Sequence, residues 1–166
     1  NQKPLLIQAI ALPWKWLFIY PKQGIATINT LVIPKNTDVQ FFLTNDNVPM
    51  SAFFIPQLSS QVYTMAGMRT RLHLVATVLG SYRSLNAQYN GDGFSEMHFQ
   101  TKVVNADAMA TWVKKVQASP ESLSADTYAV LRKPTIADKP AYYASVVPKL
   151  FMTTIRSYQG PAPKKQ

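Results

Sequence analysis

Cysteine is absent from all 166 residues. That excludes disulfides, thiolate metal centres and a cysteine nucleophile, and it leaves the compartment open, because many exported bacterial proteins lack cysteine as well. Acid is scarce: eight Asp and Glu stand against 17 Lys and Arg, a formal net charge of +9. The acids are scattered singly, and neither G-x-S-x-G nor H-E-x-x-H occurs, so nothing assembles a nucleophile, a base and an orienting acid. Long apolar runs are missing too. The longest, "PLLIQAIALPWKWLFIY", is interrupted by Gln8, Pro13 and Lys15, too short and too broken to span a bilayer. No signal-peptide pattern is present, and the chain opens on Asn1 rather than Met. The expectation is a soluble part, either a processed product or a cut piece of a longer chain, which leaves room for an anchor before Asn1. The basic residues form no run longer than Lys114-Lys115, Arg132-Lys133 and Lys164-Lys165, which is not a nucleic-acid footprint. A basic face toward anionic lipid or an acidic partner is compatible with them.

What is there reads as two parts. Up to about residue 105, short runs rich in β-branched and aromatic residues are cut by turn chemistry. The runs are "LLIQAIAL", "WKWLFIY", "NTLVI", "VQFFLT", "SAFFI", "RTRLHLVAT" and "MHFQTKVV", and "YPKQG", "PKNTD", "TNDNVP" and "NGDG" punctuate them. Many strands without intervening helices predict a mainly β sandwich over 1–106. From Asp107 the period changes: Met109, Trp112, Val113 and Val116 share one helical face until Ser119-Pro120. Further helices are predicted over about Ser124 to Arg132 and from Pro148, the latter with Leu150, Phe151, Ile155 and Tyr158 on one side. This gives a helical arm over 107–159 and, after Gly160-Pro161, a frayed tail over 160–166.

Several residues invite a sharper reading. Trp14 and Trp16 alternate with Lys15, which predicts both indoles on one strand face, as sandwich core or subunit interface. Trp112 is a further interface candidate in the arm. Met50, Met65, Met68 and Met97 together with His98 admit a thioether site for Cu(I), against the alternative of adaptable core filler. His73 alternates with Leu72 and Leu74 and reads as a lone histidine on the opposite strand face.

The loop "NAQYNGDGFSEM" has a spacing of its own: Asn86, Asn90, Phe94 and Met97, with Gly91 and Gly93 between. A dinuclear copper centre needs two bridging thiolates, two imidazoles and a weak thioether. Here Asn86 and Asn90 offer hard amide oxygens, Phe94 offers nothing, and Met97 offers one weak sulfur. These residues, with "WKWLFIYPKQGIATIN" at 14–29, "SAFFIPQLSSQVYTMAGMRTRLHLVA" at 51–76 and "YNGDGFSEMHF" at 89–99, resemble the exported domain of subunit II of haem-copper quinol oxidases of the cytochrome bo type. The likeness extends through the helical region after 107. Pro13 departs from it, standing where relatives carry an acid, and "NVPMSAFF" is one residue longer than the family pattern.

The resemblance implies a cupredoxin Greek-key sandwich followed by a helical arm, of the copper-free branch. The vestigial copper-site positions would be Ser51, Asn86, Gln88, Asn90, Phe94 and Met97. It also implies no catalytic residue or cofactor in this domain, with haems and copper in subunit I. The expected partners are subunit I and the other oxidase subunits, with no cytochrome c, and the expected location is the periplasmic face of the bacterial inner membrane, anchored by N-terminal helices. The alternative is an independent periplasmic cupredoxin-like module binding Cu(I) through Met and His.

Overall fold

The computed structural model describes residues 4–48, 50–58, 60–88, 96–134 and 140–159, with the backbone only at 85–88 and 96–98. Ten strands come first: β1 (Leu5–Leu12), β2 (Lys15–Tyr20), β3 (Ile25–Ile28), β4 (Thr30–Pro34), β5 (Asp38–Asn45), β6 (Met50–Ile55), β7 (Ser60–Met65), β8 (Thr70–Val75), β9 (Gly80–Gln88) and β10 (Glu96–Val104). The arm follows as α1 (Ala106–Gln117), α2 (Ala125–Leu131), β11 (Ala141–Tyr143) and α3 (Leu150–Arg156). One sheet runs β11-β3-β2-β1-β5-β8 and the other β4-β10-β9-β6-β7.

Every residue of β2 is buried, and the alternation of the strand explains how. Trp16, Phe18 and Tyr20 point between the two sheets, into a core with Phe41, Phe53 and Phe99. Leu17 and Ile19 point the other way, into a second core with Tyr128, Tyr143, Leu150, Phe151 and Ile155 of the arm. The first sheet is therefore sandwiched between the second sheet and the arm. Phe53 centres the inner core, its ring 5.4 Å from those of Trp16, Phe41 and Phe99. Two polar groups fix how the chain passes between the sheets. Asn29, left-handed at φ 56, receives the Trp16 backbone N–H on its side-chain oxygen at 2.8 Å and turns β3 into β4. The buried Tyr20 hydroxyl donates to the Val32 carbonyl at 2.8 Å and accepts from the Val32 N–H at 3.0 Å, tying β2 to β4 across the core.

The helices fall close to where the spacing predicts them. Asn105 caps α1, accepting from the Ala108 N–H at 2.8 Å, and Ser124 caps α2 in the same way. Met109 and Val116 of α1 belong to the inner core, and the Trp112 ring lies 5.3 Å from that of Tyr20. The third helix differs from the expectation. Lys149 sits at φ 61, so the helix starts at Leu150 instead of Pro148, and Tyr158 lies in the turn beyond its end.

Other expectations are corrected as well. Trp14 is not on the strand with Trp16: it is the left-handed corner of the β1–β2 hairpin, at φ 63, and β2 begins at Lys15. β3, β7, β9 and β11 are additional strands. β9 ("GSYRSLNAQ") has no β-branched residue, and it carries what reads as the start of a loop as far as Gln88. Asn90 and Phe94 lie outside the described residues, as does the expected tail 160–166.

Candidate functional site

One end of the sandwich collects the β1–β2 hairpin, the β5–β6 and β7–β8 connections and the facing ends of β9 and β10. Register brings four of the expected copper-site positions there, Ser51, Asn86, Gln88 and Met97. Ser51 stands opposite Gln88 on β9 and Thr64 on β7, while Asn86 stands opposite Phe53 on one side and Met97 on the other. The Ser51 hydroxyl is fully buried, without a hydrogen-bond partner among the described residues.

Chemically the set does not fit a mixed-valence copper pair. A hydroxyl, carboxamides and one thioether contain neither a thiolate to bridge two ions nor an imidazole to complete them. Among the described residues no three His, Asp or Glu side chains gather to hold an ion. His73 is exposed on β8, its Nε2 in contact with the Asp38 carboxylate, and His98 belongs to the other sheet, its backbone opposite Leu85. The five-residue thioether set is also divided: Met50 and Met65 pair across β6 and β7, whereas Met97 lies on β10, in the cross-strand row of Asn86, Phe53 and Val62.

The same end carries a polar cluster that the sequence does not reveal. Asp46, at the end of β5 in what reads as a plain turn, is buried. Its carboxylate accepts from the Tyr158 hydroxyl at 2.5 Å, from the Tyr128 hydroxyl, and from Arg132 Nε at 2.9 Å. Thr154 Oγ1 donates to the Tyr128 hydroxyl at 3.3 Å. The Asn47 N–H donates to the Tyr158 hydroxyl at 2.7 Å and the Asn47 side chain to the Arg132 carbonyl at 2.8 Å. One sandwich carboxylate thus gathers three side chains of the arm.

Lys15 fastens the arm from the neighbouring hairpin. Its side chain is buried on the arm side of β2, and Nζ donates to the carbonyls of Leu131 and Lys133, at 2.8 and 3.0 Å, where α2 ends. Leu131 is the last residue of α2, where the terminal carbonyls carry the negative end of the helix dipole. Burial lowers the Lys15 ammonium to about 8. The spacing in "WKW" is accounted for by both cores: Trp16 fills the sandwich while Lys15 caps the arm. Trp16 is therefore core, Trp14 is a half-buried corner and Trp112 is a half-buried brace against Tyr20. A third fastening involves Gly67, left-handed at φ 77. A Cβ there would stand 3.1 Å from that of Tyr158, and the Gly67 carbonyl accepts from Gln159 at 3.0 Å.

Burial raises the hydroxyls of Tyr20, Tyr128, Tyr143 and Tyr158 above the ordinary tyrosine value, helped at Tyr128 and Tyr158 by hydrogen bonds to Asp46 and at Tyr143 by the charge of Glu121. A raised folded value means that this stabilisation is complete below about pH 10 and is lost as the pH climbs past it, since the unfolded chain releases protons that the fold retains. An absorbance titration of the phenolates should show Tyr20 and Tyr128 ionising only as the fold opens. Smooth titration of all eight tyrosines in the folded protein would contradict it.

Comparison with known proteins agrees with this architecture. A family model described as the COX Aromatic Rich Motif matches residues 117–162, the stretch carrying Tyr128, Tyr143, Phe151 and Tyr158. The crystal structure of the periplasmic domain of subunit II of cytochrome oxidase from Bradyrhizobium japonicum superposes with a TM-score of 0.63 at 21% identity, covering 69% of this chain and 94% of that one. The fold is thus a cupredoxin-like sandwich with an appended helical arm. Cytochrome bo(3) ubiquinol oxidase subunit 2 of Pseudomonas aeruginosa is 50% identical over 157 residues, covering 95% of this chain and 47% of the relative. Ubiquinol oxidase subunit 2 of Acetobacter aceti is 49% identical over 161 residues, covering 96% and 52% respectively. The chain spans about half the length of these relatives. With that identity along nearly its whole length, the chain belongs to the ubiquinol oxidase subunit 2 family.

Proposed function

We propose that this chain is the periplasmic part of subunit II of a proton-pumping ubiquinol oxidase, and that it serves assembly and shape while subunit I carries the haems, the copper and the quinol chemistry. The observation that carries the reading is the donor set: a chain without cysteine, with Ser51, Asn86, Gln88, Asn90, Phe94 and Met97 at the family's copper positions, has no thiolate to accept an electron through copper. We read these as the remains of a copper site, with Asn86 and Met97 still facing each other across β9 and β10. The net charge of +9 adds to this, because a basic cytochrome c would be repelled.

In this reading 1–106 forms the cupredoxin-like domain, and 107–159 is an arm that stiffens its outer face and presents surface to other subunits. Segments beyond this chain anchor it at the periplasmic face of the inner membrane, which the greater length of the relatives accommodates. Trp14, at the hairpin corner, and Trp112, on the arm, supply the aromatic anchors of the subunit contacts. Purification of an oxidase carrying Trp14→Glu or Trp112→Glu tests this. Complex yield by haem content should fall for variants whose isolated chain keeps its unfolding midpoint. Undiminished yield for both would overturn the assignment.

A further inference from the structure

We propose that Met50, Met65 and Met68 form a surface thioether site for Cu(I), separate from the vestigial copper positions. Met50 and Met65 are directly opposite across β6 and β7, which places their Cβ atoms about 5 Å apart on one face. That face is the outer one: Ser51 and Thr64 beside them are buried between the sheets, while Gln61, Tyr63 and Met65 alternate with them toward solvent. Met65 is 46% and Met68 54% exposed, in contrast to Met109, which fills the core. The Met68 N–H donates to the Met65 carbonyl at 3.2 Å, so the chain folds back at once and carries the third thioether to the same corner.

The corner is preorganised by the arm. The turn between the two methionines is Ala66-Gly67, and Gly67 is held by close packing on Tyr158 and by the hydrogen bond from Gln159. A fixed turn spares the ordering entropy that a metal would otherwise have to offset. Arg69, the cation nearest in sequence, is drawn away, with its guanidinium 5.1 Å from the centre of the Phe42 ring. Three neutral, soft, polarisable thioether donors suit a soft monovalent ion over Zn(II), Cu(II) and Mg(II).

The test uses the purified 166-residue chain under reducing, anaerobic conditions. Cu(I) is titrated in competition with a chromophoric Cu(I) chelator, and Ag(I), its redox-inert counterpart, is followed through the methionine ε-methyl resonances. The expected result is one equivalent bound, with the methyls of Met50, Met65 and Met68 moving and that of Met152 still. Loss of a partner that only orients a ligand weakens metal binding about 10–100-fold, so Met65→Leu and Met68→Leu, which remove ligands, should each weaken it by about tenfold or more. Met152→Leu, on α3, should leave it unchanged, and excess Zn(II) should not compete. Binding that is absent, that leaves those three methyls in place, or that weakens equally in Met152→Leu overturns the site. The surface leucines do not threaten the fold, and the outcome is independent of the assembly role.

Discussion

Asp46→Ala is expected to lower the unfolding free energy of the chain by about 3 kcal/mol or more, since hydrogen bonds to a charged group contribute about 1.5–3 kcal/mol each and the change removes two from tyrosine hydroxyls. It leaves Tyr128 buried beside an empty place and Tyr158 without its acceptor, and releases Arg132. For a chain of this size that corresponds to a fall in the thermal midpoint of roughly 6–12 °C. The damage should be local. Hydrogen-exchange protection should drop in α2, α3 and the β5–β6 connection, while β2 and β10, tied through the inner core, keep theirs. Asp46→Asn, which keeps the shape and one acceptor, should fall between the two, and Asp38→Asn on the surface should change the midpoint little. Equal loss of protection across both sheets would mean that the arm is not fastened chiefly through Asp46.

The combined change Ser51→His, Asn86→Cys, Asn90→Cys and Phe94→His should turn a colourless protein into one with intense visible absorption when copper is added. The parent lacks every thiolate, so it has no charge-transfer band and no soft anionic donor to drive affinity. The variant would supply two thiolates and two imidazoles, and the backbone of Met97 is in register opposite that of Asn86. Ser51 begins β6 next to β9, the strand that bears Asn86, so the new imidazole at 51 and the first new thiolate start from adjacent strands of one sheet. A folded variant that stays colourless with copper would mean that the correspondence is wrong, most plainly at Ser51, where the preceding segment is one residue longer than the family pattern.

Much of this could be read in the sequence because local and tertiary preferences agree. The face of α1 falls where Met109 and Val116 predict it, and α2 lies between its Ser124 and Arg132 caps. β1, β5 and β10 follow their apolar runs. Of the strands that escape, β9 carries little β preference, while β3 and β11 are too short, at four and three residues, for alternation to show. β9 is held between β6 and β10, and the three residues of β11 are held on β3. Trp14 misleads because alternation assumes that a strand is already under way, whereas the chain is still turning there. The site is legible only as a set of residue types. That Asp46 collects Tyr128, Arg132 and Tyr158 from 82 to 112 residues away follows from the docking of the arm, and no local pattern encodes it. Lys15 is similar: "WKW" shows only that it alternates with the indoles, and it is buried because the arm covers its face of β2.

The most direct measurement of the structural role is quinol oxidised per haem by a purified oxidase complex carrying Asp46→Ala. A domain that contributes through assembly gives less complex, quantified by haem content, while each complex that does form turns over as the parent does. Normal yield of complex with a specific loss of turnover per haem would contradict this and place the domain in the quinol chemistry itself.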